Sequence, residues 1–214
     1  MTDIDQAGNP ASGEVRRVRI VQLSSAALHA LARGDLTAAN AAAAVPMSGY
    51  FAGPEWRGVW RRRSTQVLDD PRSAGWITGV IWDPQRVLAV GRAGYHGPPD
   101  AAGMVEIGYA VEPAYRRQGY ARAGLVELLE RAARERDVGT VRATVSPNNI
   151  ASRELILQYG FTEVGEQWDD EDGLDPPHRR TREEPRSRTC RNARSALSKA
   201  LNHRPLCELC ACWS

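Results

Sequence analysis

The densest chemistry in this chain sits in Arg116-Arg117-Gln118-Gly119-Tyr120-Ala121, two arginines and a glycine within six residues. They follow the β-rich run Glu106-Ile107-Gly108-Tyr109-Ala110-Val111 and a turn at Glu112-Pro113-Ala114-Tyr115, and they open a long helical pattern. A strand that passes through a glycine-containing loop into a helix gathers unpaired backbone N–H groups at the positive end of the helix dipole. Such a junction suits a phosphate-like anion. Arg116 and Arg117 add fixed charge beside those groups, and Gly119, Ala121, Ala123 and Gly124 let a ligand approach the backbone closely. A glycine that merely relieves crowding at a helix entrance would leave the same trace. The loop lacks a Gly-Lys-Ser/Thr ending and a Gly-x-Gly-x-x-Gly run, so it is neither a nucleoside triphosphate loop nor a dinucleotide fingerprint.

Arg116-x-x-Gly119-x-Ala121 resembles the Arg/Gln-x-x-Gly-x-Gly/Ala signature of the GNAT superfamily of acyl-CoA-dependent N-acetyltransferases. The run from Glu106 to Val111 is similar to that family's fourth strand. Asn149-x-x-Ser152 with Gly160-Phe161 is similar to its fourth helix and the turn into its sixth strand. The resemblance covers about residues 15–173 and is nearest to the ribosomal-protein and alanine-acetylating branch. It implies an α/β fold, with a mixed, mostly antiparallel sheet flanked by helices and a splayed V between two central strands. It also implies acetyl transfer from acetyl-CoA, as cosubstrate, to a primary amine by direct attack, with no metal. Arg116, Arg117, Gln118, Gly119, Tyr120 and Ala121 would cradle the pyrophosphate, and Tyr109, Ala110 and Val111 would run beside the pantetheine arm. An N–H near Val111 would polarise the thioester carbonyl. Asn149 would meet the pantetheine amides, although Asn149 or Asn148 reads equally well as a helix N-cap.

An amine attacks a thioester only as the free base, so a group must accept its proton. Glu106 stands where related acetyltransferases often carry a catalytic carboxylate; a solvated strand carboxylate paired with an arginine is the alternative. His96, in the loop His96-Gly97-Pro98-Pro99-Asp100, titrates near neutrality and is a second candidate base, or an exposed loop histidine. The leaving thiolate needs a proton or solvation. The tyrosine that many family members place four residues before Gly160 is Ile156 here. Ser152 remains as a donor or relay, against the reading of an ordinary helix-surface serine, and Tyr159 reads better as packing.

Several elements must position these groups. Residues 15–23 read as a first strand, Ser24 or Ser25 caps a helix ending near Gly34, and Asp35 caps the next. Pro54 opens a helix on which Trp56, Val59, Trp60 and Val67 partly share a face; core packing outweighs substrate contact for Trp56 and Trp60. Residues 74–82 and 86–93 read as strands joined at Asp83-Pro84. Leu125, Leu128, Leu129 and Ala132 stripe the helix after Gly119, and residues 140–145 and 161–168 read as further strands.

The 214 residues suffice for one well-buried domain and a tail: a disordered N-terminus at 1–14, an acetyltransferase-like domain at 15–173, and a basic tail at 174–214. The net charge of +2 gives no nucleic-acid or membrane signature. The tail carries 9 of the 28 basic residues but 4 of the 26 acidic ones. Neither a spanning apolar run nor a signal peptide is legible, so a cytoplasmic location is expected. The expected partner is a small-molecule or peptide amine, without membrane or specific nucleic-acid binding, and a homodimer stays open. A seventh strand is expected after Leu174, but Pro176-Pro177 and the charged run behind them give an irregular tail instead. All four cysteines, at 190, 207, 210 and 212, lie there. The tail reads as out-of-pattern disordered sequence, as a basic arm for an acidic partner, or, least, as a zinc site using Cys207, Cys210 and His203 with Cys190 or Cys212. The missing tyrosine and last strand also admit a non-catalytic acyl-CoA-binding or regulatory module.

Overall fold

The computed structural model describes residues 16–146, 148–167 and 187–190. Five strands form the main sheet: β1 (Arg19–Val21), β2 (Gly79–Asp83), β3 (Leu88–Tyr95), β4 (Met104–Val111) and β5 (Thr140–Arg142), in that spatial order. The first three pairings are antiparallel, whereas β4 and β5 run parallel. A mostly antiparallel sheet with one parallel joint is the arrangement the resemblance implies.

The helices start where the sequence places their caps. Ser24 accepts from the Ala27 amide to open α1 (Ser25–Arg33), and Gly34, at φ +76°, closes it. Asp35 accepts from the Ala38 amide to open α2 (Leu36–Ala42). Pro54 begins a short 3-10 turn that runs into α3 (Arg57–Asp69). The strand expected over 74–82 begins only at Gly79. Asp70 accepts from the Arg72 amide and holds Pro71–Gly75 in a 3-10 turn that delays it.

Apolar side chains fill both faces of the sheet. On one face α4 (Tyr120–Arg134) presses Leu125, Leu128 and Leu129 against Ile107, Val105 and Tyr95, whose hydroxyl donates to the Leu128 carbonyl at 2.6 Å. On the other, α1 and α3 pack Leu28, Leu31 and Trp60 against Val80 and Ala89. Trp60 is fully buried, its indole donating to the Phe51 carbonyl at 2.7 Å.

The strand expected over 140–145 breaks at Ala143. β5 pairs with β4, but β6 (Thr144–Val145) belongs to a second sheet of order β6-β8-β7, with β7 (Glu163–Gln167) and β8 (Ser187–Cys190). β8 pairs antiparallel with both neighbours, so four residues of the tail cover the edge that the irregular-tail expectation leaves open. Ser-Arg-Thr-Cys contains no proline to interrupt a ladder, unlike the Pro176-Pro177 stretch. The remaining tail, with Cys207, Cys210, Cys212 and His203, lies outside the described residues. Among the described residues no group of three His, Cys, Asp or Glu side chains is placed to hold a metal ion, and no helix is long and apolar enough to cross a membrane.

Candidate active site

The parallel joint between β4 and β5 is short. Its register runs Met104↔Thr140, Val105↔Val141, Glu106↔Arg142, and there it ends. Beyond Glu106 the chain of β5 departs into the second sheet, so the last five residues of β4 lose their partner on that side. This opening is the V. Glu106 accepts from the His96 amide at 2.7 Å, and the Glu112 amide donates to Val90 at 2.9 Å, both across to the β3 side. Strand alternation therefore turns the amides of Tyr109 and Val111 the other way, into the V, and that of Ala110 toward β3. Arg116 confirms the direction by donating from Nε to the Val111 carbonyl at 3.1 Å.

A cleft of about 750 Å³ occupies the V. Its walls include Tyr109, Ala110 and Val111 from β4, Arg116, Arg117, Gly119, Tyr120 and Ala121 from the loop and α4, and Asn149 and Ser152 from α5 (Ile150–Leu157). The loop reaches this shape through two left-handed residues, Arg117 at φ +61° and Gly119 at φ +83°. A side chain at Gly119 would meet open space, so the glycine serves the backbone conformation and keeps the mouth of the cleft clear. An alternation of this kind turns successive N–H groups toward one side, a concavity that suits an anion.

Two expected contributors stay out of the cleft walls. Gln118 donates to the Ala114 carbonyl at 3.1 Å and faces Arg86 at 3.4 Å, so its side chain braces the loop. Glu106 sits at the apex, behind the cleft, with its carboxylate accepting from the Thr144 hydroxyl at 2.9 Å. Arg142 and His96 approach that carboxylate at 3.8 Å each. The Tyr120 phenol is 1% exposed and donates to Asp83 at 2.7 Å, with Arg16 beside both, which anchors the start of α4 to the end of β2. Burial alone would raise Asp83, but the Tyr120 hydroxyl, the Arg86 and Gln85 amides and Arg16 hold its carboxyl below the usual range. Asn149 is the N-cap of α5, its Oδ1 accepting from the Ser152 amide at 3.2 Å, and it lines the cleft as well.

His96 is not an exposed loop residue. Its side chain is 17% exposed beside Glu106, and burial together with Arg63, Arg62 and Arg92 pushes its pKa down to about 3. The imidazole is therefore neutral at ordinary pH. Tyr109 is buried too, which pushes its phenol up to about 12, partly offset by Ser152 beside it. That Ser152 contact is too loose for a well-formed hydrogen bond. Ile156, one turn beyond Ser152, is fully buried among apolar side chains. Tyr159 packs against the same cluster and meets Arg122 at 3.3 Å.

The tryptophan pair divides. Trp60 is core, whereas Trp56 lines the cleft and carries the buried Arg92 guanidinium 3.7 Å from its ring centre. Arg122 and Tyr115 also line the cleft and escaped the sequence reading. Arg122 lies in the first turn of α4, three residues after Gly119, and donates to Gln158 at 2.5 Å; its helical spacing was the available signal.

Residues 17–162 match the family described as Acetyltransferase (GNAT) domain. An uncharacterized N-acetyltransferase of Bacillus subtilis, YjdG, is 30% identical over 87 residues, 41% of this chain; the match spans about half of that relative, 52% of its length. The spermidine/spermine N-acetyltransferase SpeG of Vibrio cholerae shares the fold at a TM-score of 0.56 and 14% identity, over 86% of this chain and 99% of that one. So does the microcin C7 self-immunity acetyltransferase MccE, solved with acetyl-CoA and AMP, at a TM-score of 0.51 and 10% identity over 81% of this chain and 90% of that one. These proteins span several branches and do not single out the ribosomal-protein and alanine-acetylating one. With the family match reaching from the first strand to Phe161, across the V and its loop, the chain belongs to the GNAT acetyltransferase family.

Proposed function

We propose that the protein transfers an acetyl group from acetyl-CoA to an amine by direct attack, without an acyl-enzyme. The observation that carries this reading is the end of the β4–β5 ladder at Glu106, beyond which the free edge of β4 and the Arg116–Ala121 loop line one cleft, with the Glu106 carboxylate behind it. The fit to acetyl-CoA is good. The left-handed pair at Arg117 and Gly119 suits the pyrophosphate, and the open space at Gly119 leaves room for it. The exposed edge of β4 suits an extended arm with amide groups. When bound, acetyl-CoA supplies an acetyl group activated as a thioester.

The residues then divide the work. Arg116, Arg117, Gly119 and Ala121, with the amide of Tyr120, hold the anionic end, and Gln118 shapes the loop. The Tyr109 and Val111 amides, turned into the V, are the donors for an oxygen that gains charge during attack. Glu106 accepts the proton of the incoming amine, with Thr144 fixing the carboxylate orientation and neutral His96 beside it. Asn149 caps α5 and meets the arm of the cosubstrate. Ser152 stands next to the place where a proton or hydrogen bond is needed by the departing sulfur. The acceptor is a primary amine, on a small molecule or a protein N-terminus, and Trp56 is on its path.

Calorimetric titration with acetyl-CoA tests the reading, alongside an Arg117→Ala/Gly119→Val double variant. Saturable binding by the parent chain, reduced at least tenfold in the variant, is expected; a folded parent chain that fails to bind acetyl-CoA would sink it. Glu106→Gln should then keep acetyl-CoA binding within about twofold and lower turnover on an amine panel by about 10²–10⁴-fold. The buried Ile156 favours one rival, a non-catalytic acyl-CoA-binding module. That rival predicts binding without thiol release for the parent chain over the whole panel.

A further inference from the structure

We propose that the Tyr109 hydroxyl is the hydrogen-bond donor that receives the departing thiolate. This rests on the acetyl-transfer reading above and assigns it a group that α5 does not supply. Tyr109 is 6% exposed, lines the cleft, and its hydroxyl has no hydrogen-bond partner among the described residues. Buried hydroxyls are nearly always satisfied, because leaving one unpaired forfeits its hydration without return. An unpaired phenol on a cleft wall is therefore a donor whose acceptor arrives with the ligand.

Its position fits the sulfur. Alternation places Tyr109 on the opposite face of β4 from Glu106, Gly108 and Ala110. Glu106 faces His96 and Thr144, and Tyr109 faces Ser152 and the cluster under α4 and α5. A carbonyl lying along the β4 edge between them would meet the amine from the Glu106 side and release sulfur toward Tyr109. Along α5, Ser152 is one turn before Ile156, so the phenol reaches from the strand to the helix face where Ile156 offers only hydrocarbon.

The atoms balance simply. The amine nitrogen forms the new C–N bond and the C–S bond breaks, its electron pair leaving on sulfur. The amine proton goes to Glu106. The phenol O–H donates to the thiolate without losing its own proton, and the sulfur is protonated from water as free CoA departs. Burial keeps the phenol protonated throughout the working pH range. Ser152 lies beside the phenol oxygen without a well-formed hydrogen bond to it and is not the main donor.

The test uses free CoA and the full chain, needs no acceptor, and follows the thiolate by its ultraviolet absorbance. In the parent chain the bound thiol should ionise at least one pH unit lower than in Tyr109→Phe, equivalent to a tenfold preference for the thiolate. Within each protein, affinity at alkaline pH is compared with affinity at acidic pH: the parent chain should gain about tenfold as the thiol ionises, and Tyr109→Phe should gain nothing, whatever its binding at acidic pH. Desulfo-CoA should show no such gain. Equal thiol titration in the parent and Tyr109→Phe, with CoA bound by both, overturns the inference and leaves the acetyl-transfer reading intact. A shift carried by Ser152→Ala and not by Tyr109→Phe also overturns it, in favour of the serine. Failure of the parent chain to bind CoA removes the acetyl-transfer reading and this inference together.

Discussion

At the scale of single residues, the apex of the cleft combines a carboxylate and an imidazole whose surroundings oppose each other. Thr144 and Arg142 hold Glu106, while burial and the guanidiniums of Arg63, Arg62 and Arg92 discourage a second positive charge on His96. The folded chain holds His96 at about 3, and an unfolded one returns it to about 6.5. Between those values the unfolded state binds the additional proton, so stability should fall as pH drops below 6.5 and should not respond to His96 above it. At pH 5 the loss attributable to this residue is about 2 kcal/mol. Urea midpoints at pH 7 and pH 5 should therefore diverge less in His96→Gln than in the parent chain. An undiminished gap would mean that carboxylates alone set the acid sensitivity. An arginine partner for Glu106 was legible as an alternative, but the buried, neutral His96 was not. His96 reads as a lone loop histidine because its partners come from α3, β3 and β4, three segments brought together only by the fold.

At the scale of elements, α5 opens on a side chain with a capping role and a proposed binding role. Asn149 accepts from the Ser152 amide and lines the cleft, and the two roles separate by substitution. Asn149→Ser should keep most of the cap, because a hydroxyl also accepts from the first-turn amides, and Asn149→Ala should lose about 1 kcal/mol. Acetyl-CoA affinity should fall in both variants if the amide contacts the pantetheine arm. If only the alanine variant binds more weakly, the cap is the whole role. Local signals served well here: Ser24, Asp35, Asn149 and Gly34 mark helix ends whose hydrogen bonds are short-range in sequence. The apolar stripe of α4 was legible for the same reason, since Leu125, Leu128, Leu129 and Ala132 all face the sheet. The division of Trp56 from Trp60 was not, because both share a helical stripe and only the docking of α3 decides which meets the cleft. The break at Ala143 was also hidden. The run 140–145 has uniform strand character, and what divides it is the change of partner from β4 to β8.

At the scale of the molecule, the tail matters because β6 and β7 do not pair with each other. β8 lies between them, and the described ladder from β6 to β7 passes entirely through Ser187–Cys190. β6 has only two residues, too few to stand as a sheet edge by itself. Removing β8 would expose β6 on one side and β7 on the other, leaving both with unpaired N–H and C=O groups that another chain can recruit. It would also loosen α5, whose C-terminal end runs through Gly160 into β7, and with it the Ser152 side of the cleft. A chain ending at Leu174 should therefore melt several degrees lower than the full chain and show mass-dependent association in sedimentation. Acetyl-CoA affinity should weaken less than stability does, because the Arg116–Ala121 loop is anchored separately, through Tyr120, Asp83 and Arg16. Equal melting temperatures and a monomeric truncated chain would show instead that β8 contributes nothing in solution. The proline-interrupted sequence before it would then be dispensable to the domain. Restoring Ser187–Cys190 behind a short Gly/Ser linker separates these outcomes further: recovery of the melting temperature assigns the effect to the strand itself rather than to the rest of the basic tail.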